Sequence, residues 1–329
     1  MKKTCFVYWD PHPAHRDWAQ AVSARFHPFV PFNSGFIKSH GILMHILAFL
    51  KALLFLPPAD VYLLESPMMI TAVLCRTLFS RRRKVLAINS DPFFWMLPRW
   101  NKITQWAFRT MIRRIDGYLS TSPMMDNYAA STGKQHAIVD LDVKPSFFKL
   151  SPDLSSKNAC FIGPHINTKK GVDILIDVFA SLPDQESRKL YLIGAVQEKE
   201  IQRKMQGKSN IIVTGKVPFS GLEACLEKCG LYLNLARLEP AGINILEAMA
   251  AGIPPIVSGM CGFSYVVRQI SPRLVVPLDR QKIRDAILWL ERSGRKKATG
   301  RKARQLARRF TKKNSLDDFQ EKFRQLVNK

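Results

Sequence analysis

Two stretches of this 329-residue chain set chemically capable side chains beside glycines at the mouths of helices. In the first, Gly163-Pro164-His165-Ile166-Asn167-Thr168-Lys169-Lys170-Gly171 follows an apolar run. Its two lysines then stand at the opening of a helix, where a phosphate finds a cation and free backbone amides together. In the second, Leu238-Glu239-Pro240-Ala241-Gly242-Ile243-Asn244-Ile245-Leu246-Glu247 places two carboxylates eight positions apart around a glycine. Pro240 bars helix through its predecessor and Gly242 leaves the backbone unobstructed, so the amides of Gly242, Ile243 and Asn244 should open a helix that Gly252 and Pro254 close. Amides at a helix start carry partial positive charge and bind anions. Glu247, about one turn in, can accept hydrogen bonds from a sugar diol, and Glu239 ahead of the helix would point the same way. On spacing alone, a carboxylate pair at this offset suits a solvated surface equally well.

Positioning such groups takes a layered β/α scaffold, because in an open parallel sheet ligands bind at the carboxyl ends of the strands. The first half supplies short apolar runs that read as buried parallel strands: Thr4 to Trp9, Asp60 to Leu64, Lys84 to Ile88, Gly117 to Ser120 and Ala137 to Asp140. Helical patterns lie between them, around Trp18 to Phe26, Ile42 to Phe55, Met68 to Phe79, Lys102 to Arg114 and Met124 to Ala130. A polar stretch from Lys149 to Asn158 marks a linker. The second half repeats the alternation, with strands at Ala159 to Ile162, Lys189 to Ile193, Asn210 to Val213, Leu231 to Leu235, Ile256 to Val257 and Leu274 to Val276. Val172, Leu175, Ile176 and Phe179 form the inward stripe of the first helix after the linker. Length and alternation together predict two doubly wound α/β domains.

Fifty Lys and Arg against 26 Asp and Glu give a net charge of +24, which draws the surface toward phosphate groups on nucleotide, nucleic acid or anionic lipid. The six cysteines are scattered and several sit in apolar runs, which predicts reduced thiols, a cytoplasmic setting and no metal. Met1-Lys2-Lys3 leads directly into a short strand, with no apolar signal segment at the N-terminus. The apolar stretch Gly41 to Leu56 is broken by His45 and Lys51 and falls short of the roughly 20 residues that span a bilayer. Ile42, Leu43, Ile46, Leu47, Leu50, Leu53 and Leu54 cover one broad face of it, which predicts a core helix, with a membrane-dipping helix as the alternative. From Arg292 to Lys313 stand eleven Lys or Arg and no acid, a pattern that suits either a solvated helix face or an anionic membrane surface.

Glu239 and Glu247, with Gly242 and Leu246-Glu247-Ala248-Met249-Ala250, resemble the E-x7-E signature of the retaining glycosyltransferases of family 4. Gly163 and Lys170-Gly171 resemble that family's G-R-x5-K-G loop, and Ile193-Gly194 and Val213-Thr214-Gly215 its next two strand ends. The resemblance covers Ala159 to the end closely and the first half in outline. It implies a GT-B fold, with two Rossmann-like domains facing a cleft and C-terminal helices crossing back to the first domain. Domains would then run 1–150, 151–306 and 307–329. The implied substrate is a nucleotide-sugar, with no cofactor and no obligatory metal. By position, Lys170 would contact the donor diphosphate beside Gly163, His165 and Lys169, and the Gly242, Ile243 and Asn244 turn would cradle it. Glu247 would hold the ribose hydroxyls and Glu239 would lie against the sugar, so Glu239 and Lys170 are the expected catalytic pair.

Pro164 departs from the family by replacing the arginine after the loop glycine, which removes a bidentate clamp and leaves compensation to His165 or Lys169. Asp10-Pro11-His12-Pro13 stands where the family has a glycine pair. Asn89, with Asp91 close behind, takes the place of the family's first-domain histidine and would face the sugar or acceptor, or else form a turn.

Three functions follow as expectations. One is a retaining glycosyltransferase moving a sugar to a glycan or lipid-linked acceptor, peripheral to the cytoplasmic membrane face. Another is a catalytically weakened GT-B subunit. A nucleic-acid-binding protein is the third, resting on charge alone, since no zinc finger, RNP aromatic pair or KH loop is visible.

Overall fold

The computed structural model describes residues 2–9, 12–29, 42–77 and 82–328. Among the described residues, twelve strands form two six-stranded sheets, and every pairing is parallel. The first holds β1 (Thr4–Tyr8), β2 (Arg25–Pro28), β3 (Val61–Leu64), β4 (Lys84–Asn89), β5 (Gly117–Ser120) and β6 (Gln135–Ile138), in the order β2-β1-β3-β4-β5-β6. The second holds β7 (Ala159–Ile166), β8 (Leu190–Val196), β9 (Ile211–Gly215), β10 (Leu231–Asn234), β11 (Pro255–Ser258) and β12 (Val275–Val276), in the order β12-β11-β10-β7-β8-β9. Both are doubly wound, as the alternation predicts. Strand order reverses between β1 and β3 in one sheet and between β7 and β10 in the other, and crevices for ligands open at such reversals.

The chain divides into two compact units, Met1–Leu141 with Lys313–Lys329, and Asp142–Lys312. This division falls ahead of the polar linker expected after residue 150 because the intervening residues are tied into the second unit. The Val143 amide donates to Phe310 O (2.9 Å), Arg304 Nη2 donates to Leu150 O (2.7 Å), and buried Phe147 stands edge-on to Phe219 at 5.2 Å. At the other end the crossing back begins at Lys313 rather than at 307. Ala307 and Phe310 are buried in the second unit, Phe310 against Phe263. The helix Lys312–Asn328 then packs on the first unit, where Trp18 stacks on Phe319 (5.0 Å, 4°) and donates to Ser315 Oγ (3.0 Å).

Several elements differ from expectation for local reasons. β2 was hidden inside an expected helix. The helix ends at Ala21, Ser23 turns at φ +53, and Arg25–Pro28 forms a short edge strand that can accommodate Pro28. Residues expected as one helix from Met68 are a 3-10 segment, Pro67–Val73, capped by Ser66, running into the short helix Leu74–Thr77.

The helix Ile42–Phe55 is turned the other way from the expected core helix. Its buried stripe is Met44, His45, Ala48 and Ala52, small enough at two positions to bring the backbone close to the Pro67–Val73 segment. Ile46, Leu50, Leu53, Leu54 and Phe55 lie in solvent instead. The basic run is also partly structural. In the helix Arg295–Ala307, Lys296 Nζ donates to Ser156 O (2.5 Å), Lys302 Nζ to Ile270 O (2.9 Å) and Arg304 to Leu150 O, while the helix packs on Ile243–Ala251, with Gly300 so close that a Cβ there would meet Gly252 O at 2.1 Å.

Candidate active site

The two glycine-framed loops follow β7 and β10, the strands that flank the reversal of the second sheet. After β10 the chain runs from buried Leu235 and Ala236 through Arg237 to Glu239, whose backbone is pinned on both sides. Its amide donates to Met260 O (2.9 Å) and its carbonyl accepts from the Gly262 amide (2.7 Å), closing a bridge to Cys261 after β11. Gly242, at φ +78, is the N-cap of the helix Ile243–Ala251, and no side chain caps that turn. Ile245 N–H bonds to Gly242 O (2.9 Å), so the amides of Ile243 and Asn244 open outward with the partial positive charge of a helix start. Gly252 at φ +82 ends the helix, as its glycine predicts.

The β7 loop meets this helix directly. β7 does not turn at Gly163. It continues to Ile166 with a shift of register after Ile162, because Gly194 in β8 lets the Gly163 carbonyl pass where a Cβ would stand only 1.8 Å away. Asn244 Nδ2 donates to Ile162 O (2.5 Å), joining the helix start to the bulged strand. Beyond Ile166, Asn167 caps a single 3-10 turn, Thr168–Lys170, by accepting the Lys170 amide (3.1 Å). Gly171 at φ +68 then starts the helix Val172–Ala180, packed so closely on β10 that a Cβ there would meet Leu235 O at 1.8 Å.

This packing brings the expected catalytic pair together. Lys170 Nζ stands 2.5 Å from Glu239 Oε2, both half-buried. A latch holds the two loops in place. Arg237 forks onto Asp173 (2.8 and 2.7 Å), its amide donates to Lys169 O (2.9 Å), and its guanidinium also reaches Thr168 O. With Arg237 so engaged, the Asp173 carboxyl is held below the usual range by that cation although burial opposes it.

Glu247 sits one turn into the helix, half-buried, and has no hydrogen-bond partner among the described residues. Burial pushes its carboxyl from 4.5 up to about 7, opposed by the charge of Lys144, which lies 4.4 Å over the Phe219 ring. His165 and Lys169, the candidates for replacing the missing arginine, are both exposed, as is Pro164. In the first unit, Asn89 is fully buried. Its Nδ2 donates to Met125 O (2.7 Å) and Ser120 Oγ (3.3 Å), which fixes β4 to β5 and the following helix. Asp91 forms a turn, accepting the Phe93 amide (3.0 Å) and bonding Ser66, and burial raises its carboxyl. Asp10 and Pro11 lie outside the described residues.

Sequence reading missed the Arg237–Asp173 latch, Asn167 and the Met260–Gly262 support of Glu239. It also missed Glu65 in the first unit, buried at the end of β3, where it accepts the Trp9 amide (2.7 Å) and stands 3.7 Å from His15. Only one of these carried a signal in sequence: Asn ahead of two residues and a lysine reads as a cap.

Residues 143–313, which include both loops, match the family of glycosyl transferases group 1. Over 127 residues the chain is 28% identical to the lipopolysaccharide glucosyltransferase WaaG of Escherichia coli K12, covering 36% of this chain and 33% of that protein. Over 142 residues it is 28% identical to the phosphatidyl-myo-inositol mannosyltransferase of Mycobacterium leprae, covering 42% of this chain and 38% of the relative. The match thus spans little more than a third of the length of these curated relatives. Among solved structures, the Anabaena protein HepE in complex with UDP-glucose has a TM-score of 0.78 at 14% identity, over 99% of this chain and 100% of that one. The fold is therefore GT-B, two Rossmann-like domains with the last helix returned to the first. Since the matched residues make up more than half of the sequence and contain both glycine-framed loops, the chain belongs to the glycosyl transferases group 1 family.

Proposed function

We propose that this chain is a retaining glycosyltransferase of family 4 that takes a sugar from a nucleotide-diphosphate-sugar, with no cofactor, and transfers it to a glycan or lipid-linked acceptor at the cytoplasmic face of a membrane. One observation carries the reading: the Lys170 ammonium, seated against Glu239, shares its loop pair with the uncapped start of the helix Ile243–Ala251. Breaking an anomeric bond leaves negative charge on the departing diphosphate. A fixed ammonium and the Gly242 and Ile243 amides stabilise that charge as it develops, without an obligatory metal. Glu247 accepts hydrogen bonds from the ribose hydroxyls, and Glu239 lies against the sugar while holding Lys170 in place. In the retaining reaction the anomeric carbon's bond to the diphosphate oxygen breaks, the acceptor oxygen bonds to that carbon on the same face, and the acceptor proton passes to the departing diphosphate.

HepE is described in complex with UDP-glucose, which supports a nucleotide-sugar as donor here. The curated relatives, a lipopolysaccharide glucosyltransferase and a phosphatidyl-myo-inositol mannosyltransferase, support a membrane-borne acceptor. Among the described residues no helix is long and apolar enough to cross a membrane, so such an acceptor would be met from the side. Calorimetric titration with UDP- and GDP-sugars, followed by a donor screen on membrane extract read by mass spectrometry, tests the proposal. Binding of at least one donor, lost in Glu247→Ala, and transfer that persists in EDTA with unchanged anomeric configuration are expected. If none of the donors binds and no product forms, the reading is wrong.

A further inference from the structure

The first unit exposes more apolar surface than its own fold can use, and that surface lies on two neighbouring helices. On Ile42–Phe55, Ile46 (49% exposed), Leu50 (50%), Leu53 (47%), Leu54 (76%) and Phe55 (69%) point outward. On Lys102–Met111, Ile103 is 81% and Trp106 71% exposed. These are not scattered residues. Ile46, Phe49 and Leu50 of one helix and Ile103, Ala107 and Met111 of the other line a shared crevice of 340 Å³. A contiguous apolar face of this kind on a soluble unit marks a surface with a partner.

Charge identifies the partner. Between residues 92 and 115, and again between 42 and 59, there is no acid, while Lys51, Arg99, Lys102, Arg109, Arg113 and Arg114 stand on or beside the two helices. Arg99, Lys102, Arg109 and Arg113 are exposed. An apolar ridge carrying a tryptophan and ringed only by cations matches the boundary between acyl chains and anionic headgroups. A second copy of this chain would set like charges face to face on a protein of net charge +24, and nucleic acid offers nothing to the aliphatic ridge.

We infer that the helices Ile42–Phe55 and Lys102–Met111 form a bilayer-docking face that inserts Ile103, Trp106 and the outward leucines among the lipids of an anionic leaflet, with the crevice between the helices filled by acyl chain. The inference rests on the proposed transferase only for its purpose, which is to bring the enzyme to a lipid-linked acceptor. The surface exists independently of that reading.

Sedimentation of the full chain with vesicles of phosphatidylcholine, with and without 30 mole percent phosphatidylglycerol (about that fraction suffices to give a strongly negative surface), tests it. Binding to the anionic vesicles is expected. Ile103→Ser with Trp106→Ser should weaken it at least about 50-fold, and Lys102→Ala with Arg109→Ala and Arg113→Ala should reduce its dependence on salt. Because all five side chains are exposed, the far-UV spectrum and donor binding by calorimetry should be unchanged in both variants. Wild-type protein that fails to sediment while still binding donor overturns the docking face and leaves the transferase intact. So does a double variant that sediments as before, or a wild-type dimer in analytical ultracentrifugation that the double variant abolishes.

Discussion

Lys170 and Glu239 lie 69 residues apart in sequence, yet Nζ of the one is 2.5 Å from Oε2 of the other. The cation that should receive a leaving diphosphate is therefore already neutralised by a carboxylate before substrate arrives, and the two anions compete for it.

Removing that competition separates binding from turnover. In Glu239→Gln, UDP should bind about 3 to 10 times more tightly, because Lys170 loses its resident anion, while transfer falls at least about 100-fold. Lys170→Ala should lower kcat by about 100- to 1,000-fold. Its melting temperature should move little, since a half-exposed pair contributes only about 0–1 kcal/mol. Calorimetry with UDP and steady-state kinetics read the two effects, and weaker UDP binding by Glu239→Gln would contradict the competition.

Glu247 gives a pH signature. Its folded-state value of about 7 lies above the ordinary 4.5, so between these limits the folded chain keeps a proton that the unfolded chain has released. Stability at this site is greatest below pH 4.5, declines as pH rises, and above about pH 7 the buried charge costs on the order of 2–3 kcal/mol. Glu247→Gln should then melt higher than wild type at pH 8 and at the same temperature at pH 4.5. The diol contact needs the ionised carboxylate, so donor affinity of the wild type should fall as pH drops below about 7, and the glutamine variant should be at least about tenfold weaker above pH 7, with the difference closing as pH falls. Calorimetric scans and titrations across this range check both.

Two glycines of like conformation make a controlled pair. A methyl group on Gly171 (φ +68) would stand 1.8 Å from Leu235 O, whereas one on Gly207 (φ +73) would face open space. Gly207→Ala should cost about 1 kcal/mol from backbone strain alone. Gly171→Ala must also drive the Lys170 turn away from β10, so a loss above about 3 kcal/mol is expected, with donor binding abolished before the unit unfolds. Chemical denaturation of both variants measures the difference, and equal losses would refute the close approach.

Phe319 tests the return of the last helix. Its ring is fully buried against Trp18, so Phe319→Ala should destabilise the first unit by about 3–5 kcal/mol. If loops of the second unit bind the donor as proposed, UDP affinity should change less than about twofold. Limited proteolysis should cut the first unit preferentially, and uniform loss across both units would count against the division.

The two glycine-framed loops were readable because punctuation and chemistry coincide there: Pro240, Gly242, Gly252 and Pro254 bracket one helix, and two lysines precede Gly171. What could not be read was direction and distance. Every turn of the helix Ile42–Phe55 is apolar, so periodicity pointed to the leucines as core, while packing instead chose Met44, Ala48 and Ala52 for their fit against the 3-10 segment. The bulge after Ile162 depends on Gly194 in the neighbouring strand, and the Arg237–Asp173 latch joins residues 64 positions apart. No local pattern encodes either. β2 escaped because Arg25-Phe26-His27-Pro28 has neither alternation nor length to distinguish it from the end of a helix.

The returned helix also sets an order of events during synthesis. The second unit, Asp142–Lys312, is a continuous run of chain and can close as soon as it leaves the ribosome. The first unit emerges earlier but must wait, with Trp18 uncovered, until Ser315 and Phe319 have followed the whole second unit out. Of the two units, the one made first is thus the last to be sealed, and a nascent chain stalled near residue 312 would present a finished second unit tethered to an open first one.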